Sequence, residues 1–315
     1  MILYNKNVSF DFLDYGIQIP LYYDDWISHI QEKFPLKHRE FPLINREDLE
    51  RVHSKDYLDI LLGQNPEIII ETTHEFTKYY DKSLQTKPFS HLIQKTLLEA
   101  SGTYEASLMA LQKGFCFYLG GGMHHSYKEE AHGFCVIHDV VIALQKLIAL
   151  QKIKTAWIID TDVHKGDGTA YLTFKDENIL TLSIHMEKGW PLDSYPLDHK
   201  CWTPSTVDIP IPQYEENSYL NKLQEGLQKL QKISTQKGFR RPDIVMIVLG
   251  ADPYEKDTLL SSQLLNLSFE QMCQRHQILL SFLKNIPQAY VLGGGYGPHS
   301  HEIFTEFAIS STPYW

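Results

Sequence analysis

The chain has 315 residues, 43% of them hydrophobic and 22% charged, with 29 basic against 39 acidic side chains, 15 histidines and a formal net charge of −10. That balance works against a nucleic-acid or anionic-membrane binder, since both rest on a basic patch, and no direct nucleic-acid contact is expected. Cys116, Cys135, Cys201 and Cys273 lack CxxC spacing, so neither a disulfide scaffold nor a zinc ribbon is indicated and a reducing compartment fits.

The opening MILYNKNVSFDFLDYG is broken by Asn7, Asp11 and Asp14 before an apolar core can form, and it does not read as a signal peptide. No window approaches the roughly 18 apolar residues of a membrane span. A cytoplasmic protein is expected, with secretion by a signal-less route left open. From about residue 90 the chain alternates helical and strand patterns. Helix periodicity runs from His91 to Lys113, with Gly114 as the stop. A strand covers Phe115 to Leu119, a helix about His138 to Lys152, and strands Thr155 to Ile159 and Ile179 to Ile184. Then follow a helix from about Ser218 to Ile233, a strand from Asp243 to Leu249, a helix from Ser268 to Asn285 that opens with the capping-box pair Ser268 and Gln271, and a strand from Ala289 to Leu292. Repeated β-α alternation predicts an α/β fold, one domain over residues 1–315, with an open, mainly parallel sheet and helices on both faces.

Ligands of open parallel sheets bind beyond the carboxyl ends of the strands. There the sequence places Gly120-Gly121-Gly122-Met123-His124-His125, Asp160-Thr161-Asp162-Val163-His164-Lys165-Gly166-Asp167-Gly168, Gly250-Ala251-Asp252 and Gly293-Gly294-Gly295-Tyr296. The period of two along a strand predicts that Asp160, Asp162 and His164 project to one side. Two carboxylates and an imidazole forced together need a cation. Asp162, His164 and Asp252 would form the one-nitrogen, two-carboxylate set of a catalytic zinc site with an open position for water, and Asp160 would support it. His124 and His125 leave the backbone in different directions and offer a base and an acid, while Asp160 and Asp167 are candidates to bond their outer nitrogens. Tyr296, on a turn that its glycines make flexible, can donate to a developing oxyanion. Each acid alone is more simply a helix cap or a loop carboxylate, and a histidine pair alone more simply packs in a core. Delivery by four strand ends to one edge favours a site.

These motifs, with Gly133-Phe134-Cys135 between them, resemble the zinc-dependent histone deacetylases and acetylpolyamine amidohydrolases of the arginase–deacetylase fold, in family order over roughly residues 50 to 296. The segment His38-Arg39-Glu40-Phe41-Pro42 is loosely similar to the HRFP of class IV deacetylases. The resemblance implies that Asp162, His164 and Asp252 hold Zn2+, that His125 is the general base oriented by Asp167, that His124 is an electrostatic histidine paired with Asp160, and that Tyr296 polarises the substrate carbonyl. It further implies a structural K+ at Asp160, Asp162, His164, Ser183 and Ile184. Gly133, Phe134 and Trp190 would line an acyl-lysine tunnel with Leu259 at its rim. Lys165 and His138 depart from common family residues at positions without a catalytic role. Leu259 is apolar where polyamine-specific relatives can carry an acid, although Glu255 stands in the same loop. The loop from Pro66 to Lys87 offers Glu67, Glu71, Glu75 and Asp81 as substrate-gripping acids, with no basis for choosing one.

The activity so implied is removal of an acetyl or longer acyl group from the ε-amino group of lysine in proteins. The alternatives are deacylation of an acetylpolyamine or another small cationic amine, and a catalytically silent module that reads acyl-lysine. A manganese ureohydrolase of related fold needs more carboxylate ligands than the sequence offers.

Overall fold

Short apolar runs become strands buried on both faces, as expected where helices cover a parallel sheet from each side. The computed structural model describes residues 1–8, 11–21 and 23–315. Among these, the strands are β1 (Ile2–Leu3), β2 (Phe115–Tyr118), β3 (Ala156–Asp160), β4 (Ile179–Met186), β5 (Val207–Ile211), β6 (Ile244–Val248) and β7 (Gln288–Val291). They form one sheet in the order β1-β2-β7-β6-β3-β4-β5, with every neighbouring pair parallel. The four strands that precede the sequence motifs, β2, β7, β6 and β3, are therefore consecutive in space. With neighbours about 4.8 Å apart, their carboxyl ends fall within one short stretch of the sheet edge.

The helices are α1 (Tyr23–Lys33), α2 (Arg46–Glu50), α3 (Lys55–Leu61), α4 (Glu67–Thr72), α5 (His74–Tyr79), α6 (Phe89–Lys113), α7 (Asp139–Ala149), α8 (Asp167–Thr173), α9 (Tyr219–Gln236), α10 (Phe269–Phe282) and α11 (Ser300–Ser310). One layer packs α6 on β2, β7 and β6 with α7 beside it, and the other runs from α9 on β4 and β5 through α10 and α11 to α1. Both local signals read from the sequence operate. Gly114 ends α6 in the left-handed region at φ 89°, and Ser268 and Gln271 form a reciprocal capping box at α10. The core is continuous across the sheet; Trp157 of β3 is fully buried and its Nε1 donates to Ser234 Oγ of α9 at 3.2 Å.

The structure adds elements that the patterns did not reveal. β1 has only two residues, and β5 is an edge strand with Pro210 at an exposed position, where a missing N–H costs no ladder bond. The Pro66 to Lys87 stretch, expected as a loop, is largely α4 and α5. None of the described helices is long and apolar enough to cross a membrane.

Candidate active site

The turn after β2 is held from below by two carboxylates. Asp139, the first residue of α7, accepts from Gly122 N at 2.9 Å and Met123 N at 2.7 Å, while Glu99 of α6 accepts from Gly121 N at 3.2 Å. This fixes where His124 and His125 leave the turn. The two rings stand 3.8 Å apart and turn to different acids: His124 Nδ1 lies 2.7 Å from Asp160 Oδ2, and His125 Nδ1 lies 2.6 Å from Asp167 Oδ1. All four side chains are buried.

The surroundings of the two rings differ. Burial works against a charge on His124, but Asp160 and Asp162 outweigh it and raise the ring to about 10. His125 is lowered to about 3 by burial and by the neighbouring His124, with Asp167 opposing. The carboxylates around the first ring thus favour its charged form, while burial and the charge beside it favour the neutral form of the second.

Asp160, Asp162 and His164 do converge, but not through strand alternation. β3 stops at Asp160, and beyond it the chain folds on carboxylate-capped turns: Asp162 N donates to Asp160 Oδ1 at 3.1 Å and His164 N to Asp162 Oδ1 at 3.0 Å. Short acidic side chains that bond backbone two residues on make such turns favourable, and the strand expectation neglected them. His164 Nδ1 then lies 3.2 Å from both Asp162 Oδ1 and Asp252 Oδ2, and one atom from each residue falls within 4.8 Å of the other two.

This donor set fits a divalent cation. Burial disfavours charge on His164, yet its two carboxylates raise it to about 9, while burial and Asp162 push Asp252 up to about 8. Asp252 Oδ2 is buried with no hydrogen-bond partner among the described residues, as expected of an atom meant for a metal. His164 Nε2 lies 3.2 Å from Ser261 Oγ, which leaves Nδ1 toward the carboxylates. A Cβ on Gly294 would sit 2.4 Å from Asp252 Oδ2 and 2.5 Å from Asp162 Oδ2, so the cradle admits no side chain there.

Tyr296 is not on a flexible turn. Its N–H donates to Asp257 Oδ2 at 2.6 Å, and its carbonyl accepts from Thr258 N at 2.9 Å. Its ring lies at the junction of two chambers. The outer one, about 170 Å³, is lined by Gly133, Phe134, Trp190, Leu259, His125 and His164, so the four residues expected to line a tunnel come together beside His125 and His164. Gly133, at φ 60°, is pressed so closely on His125 and Trp190 that a Cβ would meet each at 2.9 Å. The inner chamber, about 100 Å³, runs back past His124 and Met123 to Phe12, Leu21 and Leu92, with Glu99 on its wall. Burial, with help from Asp139, pushes the Glu99 carboxyl up to about 8.

Of the acids between Pro66 and Lys87, Glu75 is the one in the outer chamber. It accepts from Trp190 Nε1 at 2.9 Å and Tyr195 Oη at 3.3 Å, while its Oε2 is buried without a hydrogen-bond partner among the described residues. Glu255 is exposed and does not line the chamber. Register on the sheet sets Ser183 opposite Asp160, with buried Ile184 next along β4. Lys165 faces Asp208 at 3.6 Å, and His138 caps α7.

Several residues of the site carry no motif in the sequence. His132 Nδ1 lies 3.0 Å from Asp167 Oδ2 and its ring stacks on Trp190; Tyr127 Oη donates to the same oxygen. Arg275 of α10 is fully buried, donating to the carbonyls of Thr161 at 3.0 Å and Gly250 at 2.9 Å. It has no carboxylate partner within salt-bridge distance among the described residues. Only its position four residues before Leu279 in a buried helix could have drawn notice, and that pattern is common.

A parallel α/β sheet thus brings buried His–Asp pairs, an Asp-His-Asp cluster able to hold a cation and a tyrosine to one edge. Comparison gives the family: the histone deacetylase domain profile matches residues 23–311, and the chain belongs to that family. An uncharacterized protein of Picosynechococcus is 29% identical over 215 residues, covering 67% of this chain and 66% of its own. Histone deacetylase B of Dictyostelium discoideum is 27% identical over 260 residues, 79% of this chain and 57% of the relative. The acetoin utilization protein AcuC of Staphylococcus aureus is 31% identical over 222 residues, 68% and 54%. The chain thus matches between about half and two thirds of the length of these relatives.

Proposed function

We propose that the protein is a Zn2+-dependent amidohydrolase that removes an acyl group from the ε-amino group of lysine in proteins. The observation that carries this reading is that His125, His164 and Tyr296 line one aromatic chamber, with His124 beside His125 and with Asp162 and Asp252 gathered on His164 behind it. Zn2+ held by Asp162, His164 and Asp252 would supply Lewis acidity toward the amide carbonyl and toward water. Phe134 and Trp190 clasp the lysine methylenes and exclude bulk solvent. His125, its Nδ1 turned to Asp167, takes the proton of the attacking water and returns it to the leaving amine. His124 contributes positive charge, and the Tyr296 hydroxyl donates to the carbonyl oxygen as it becomes an oxyanion, a contribution of about 3 kcal/mol for one well-placed donor. K+ bound beside Asp160, Asp162, His164, Ser183 and Ile184 is part of the same proposal. The inner chamber gives acyl chains longer than acetyl a place to extend.

Glu75 favours a second reading in the same site. A carboxylate on the chamber wall, one of its oxygens buried without a hydrogen-bond partner among the described residues, would pair with the second charge of a small cationic acyl-amine such as an acetylpolyamine. The silent-module reading requires a broken site, and the groups the chemistry needs are assembled. A Tyr296→Phe variant should lose about 10²- to 10³-fold in kcat with the fold and metal content intact. Wild-type turnover by that variant would sink the mechanism. A panel of acyl-lysine peptides of increasing chain length against acylated polyamines decides between the two substrates.

A further inference from the structure

Away from the catalytic chamber, α1 and α11 bring together a second set of metal-ligating side chains. Asp25 and His29 stand one turn apart on α1, and His301 lies in the first turn of α11, which packs against α1. The rings of His29 and His301 stack with centroids 3.8 Å apart and planes at 19°. One donor atom from each of Asp25, His29 and His301 lies within 4.8 Å of the other two.

Hydrogen bonds decide which nitrogens are open. His29 Nδ1 lies 2.8 Å from the carbonyl oxygen of Asp25, and His301 Nδ1 lies 2.6 Å from that of Pro298. A carbonyl oxygen only accepts, so each ring donates from Nδ1, and Nε2 is the nitrogen left to take a ligand. Imidazoles that bind metals are typically oriented this way, one nitrogen donating to a backbone carbonyl or a carboxylate and the other free. Two such nitrogens on stacked rings, beside a carboxylate and with no side-chain donor to either among the described residues, are a poor arrangement for water alone and a good one for a cation.

We propose that Asp25, His29 and His301 form a second divalent-metal site that clamps α1 to α11. Two imidazoles and one carboxylate suit Zn2+, Ni2+ or Cu2+ rather than Mg2+ or Ca2+, and leave a fourth position for water. Both rings are partly exposed, which leaves their side chains room to turn toward one ion. The clamp bears on the loop of Tyr296. His301 already holds Pro298, two residues beyond Tyr296, and Gly297 N donates at 3.0 Å to the carbonyl of Pro20, just ahead of α1. An ion there restrains the loop that carries Tyr296 from outside the chamber, and the site stands whatever the substrate proves to be.

The test is titration of Ni2+ and of Zn2+ into the full chain, wild type against a His29→Ala, His301→Ala double variant. The difference between the two proteins is what is read, so the result does not depend on how the catalytic centre is loaded. The wild type should bind one more equivalent than the double variant, and its melting temperature should rise by roughly 5 °C at a hundredfold excess over Kd while the double variant gains less. Asp25→Asn should weaken the extra site about tenfold. Both histidines are partly exposed, and circular dichroism verifies that the variants fold. Equal stoichiometry in the two proteins, or an extra equivalent that survives the double substitution, overturns the proposal.

Discussion

His124 and His125 are adjacent, both buried, and rest on a carboxylate through the same ring nitrogen at 2.7 and 2.6 Å, yet their surroundings push their affinity for a proton in opposite directions. The difference lies in what else each ring meets. His124 Nε2 is 3.7 Å from Asp162, so two carboxylates share its charge. Asp167, the partner of His125, is already shared with His132 and Tyr127, and His125 feels the charge on its neighbour. A histidine–aspartate pair therefore has no fixed role; the second neighbours decide whether it stores a proton or accepts one.

The strongest way to break this comparison is to remove each ring in turn. His125→Ala should lower kcat by about 10³-fold, the range of a lost general base, while His124→Ala should cost about 10²-fold, since it supplies charge but no proton transfer. Steady-state kinetics on one acyl-lysine substrate, with metal content measured in parallel, gives both numbers. A larger loss for His124→Ala would reverse the assignment.

A smaller effect should follow at Asp257, which accepts from Tyr296 N and Leu259 N and so places both the oxyanion donor and the chamber rim. Asp257→Asn turns one acceptor into a donor facing Tyr296 N–H, with an expected loss of about tenfold in kcat, 1.4 kcal/mol in barrier. The same variant carries a pH signature. Burial raises Asp257 from 3.8 to about 6, so the folded chain holds this proton more tightly than the unfolded one. The contribution of this group to stability is fullest below about pH 4 and falls as pH rises toward about 6. The melting temperature of the variant minus that of the wild type should therefore increase between about pH 4.5 and 6.5; a flat difference refutes the raised carboxyl.

The smallest effect concerns the whole surface. With a net charge of −10, kcat/KM toward a lysine-rich peptide or a polyamine should fall a fewfold as ionic strength rises from about 50 to 500 mM, with kcat unchanged. Independence of salt would assign that charge to solubility alone.

The sheet and the site's main residues could be read from the sequence because glycine-rich turns and acidic runs follow continuous apolar strands. The order β2-β7-β6-β3 explains why four distant motifs could be treated as one site. What escaped reading acts through single side chains on short elements with ordinary patterns, Ser261 in a one-turn 3-10 helix and His132 in a tight turn, while Glu75, one of four acids the sequence offered, is singled out only by the placing of α5 beside the chamber. The residues before α6 form short helices of five to eleven residues whose apolar positions are too few to set a period. The strand argument for Asp160, Asp162 and His164 predicted that they converge, and they do, but by another geometry, since side-chain turns took over where the ladder ended.

Arg275 gives this edge of the sheet a property of its own. Its guanidinium binds the carbonyls of Thr161, between Asp160 and Asp162, and of Gly250, two residues before Asp252. A permanent positive charge is thus built in beneath the acidic loops, supplied by the chain and independent of anything captured from solution. The loops can take their final shape as the polypeptide folds, before any metal arrives, and keep it if the metal is withdrawn. If the proposed Zn2+ is the cation these loops take up, a chelator should silence the protein reversibly without unfolding it, which activity and circular dichroism before and after metal return would check.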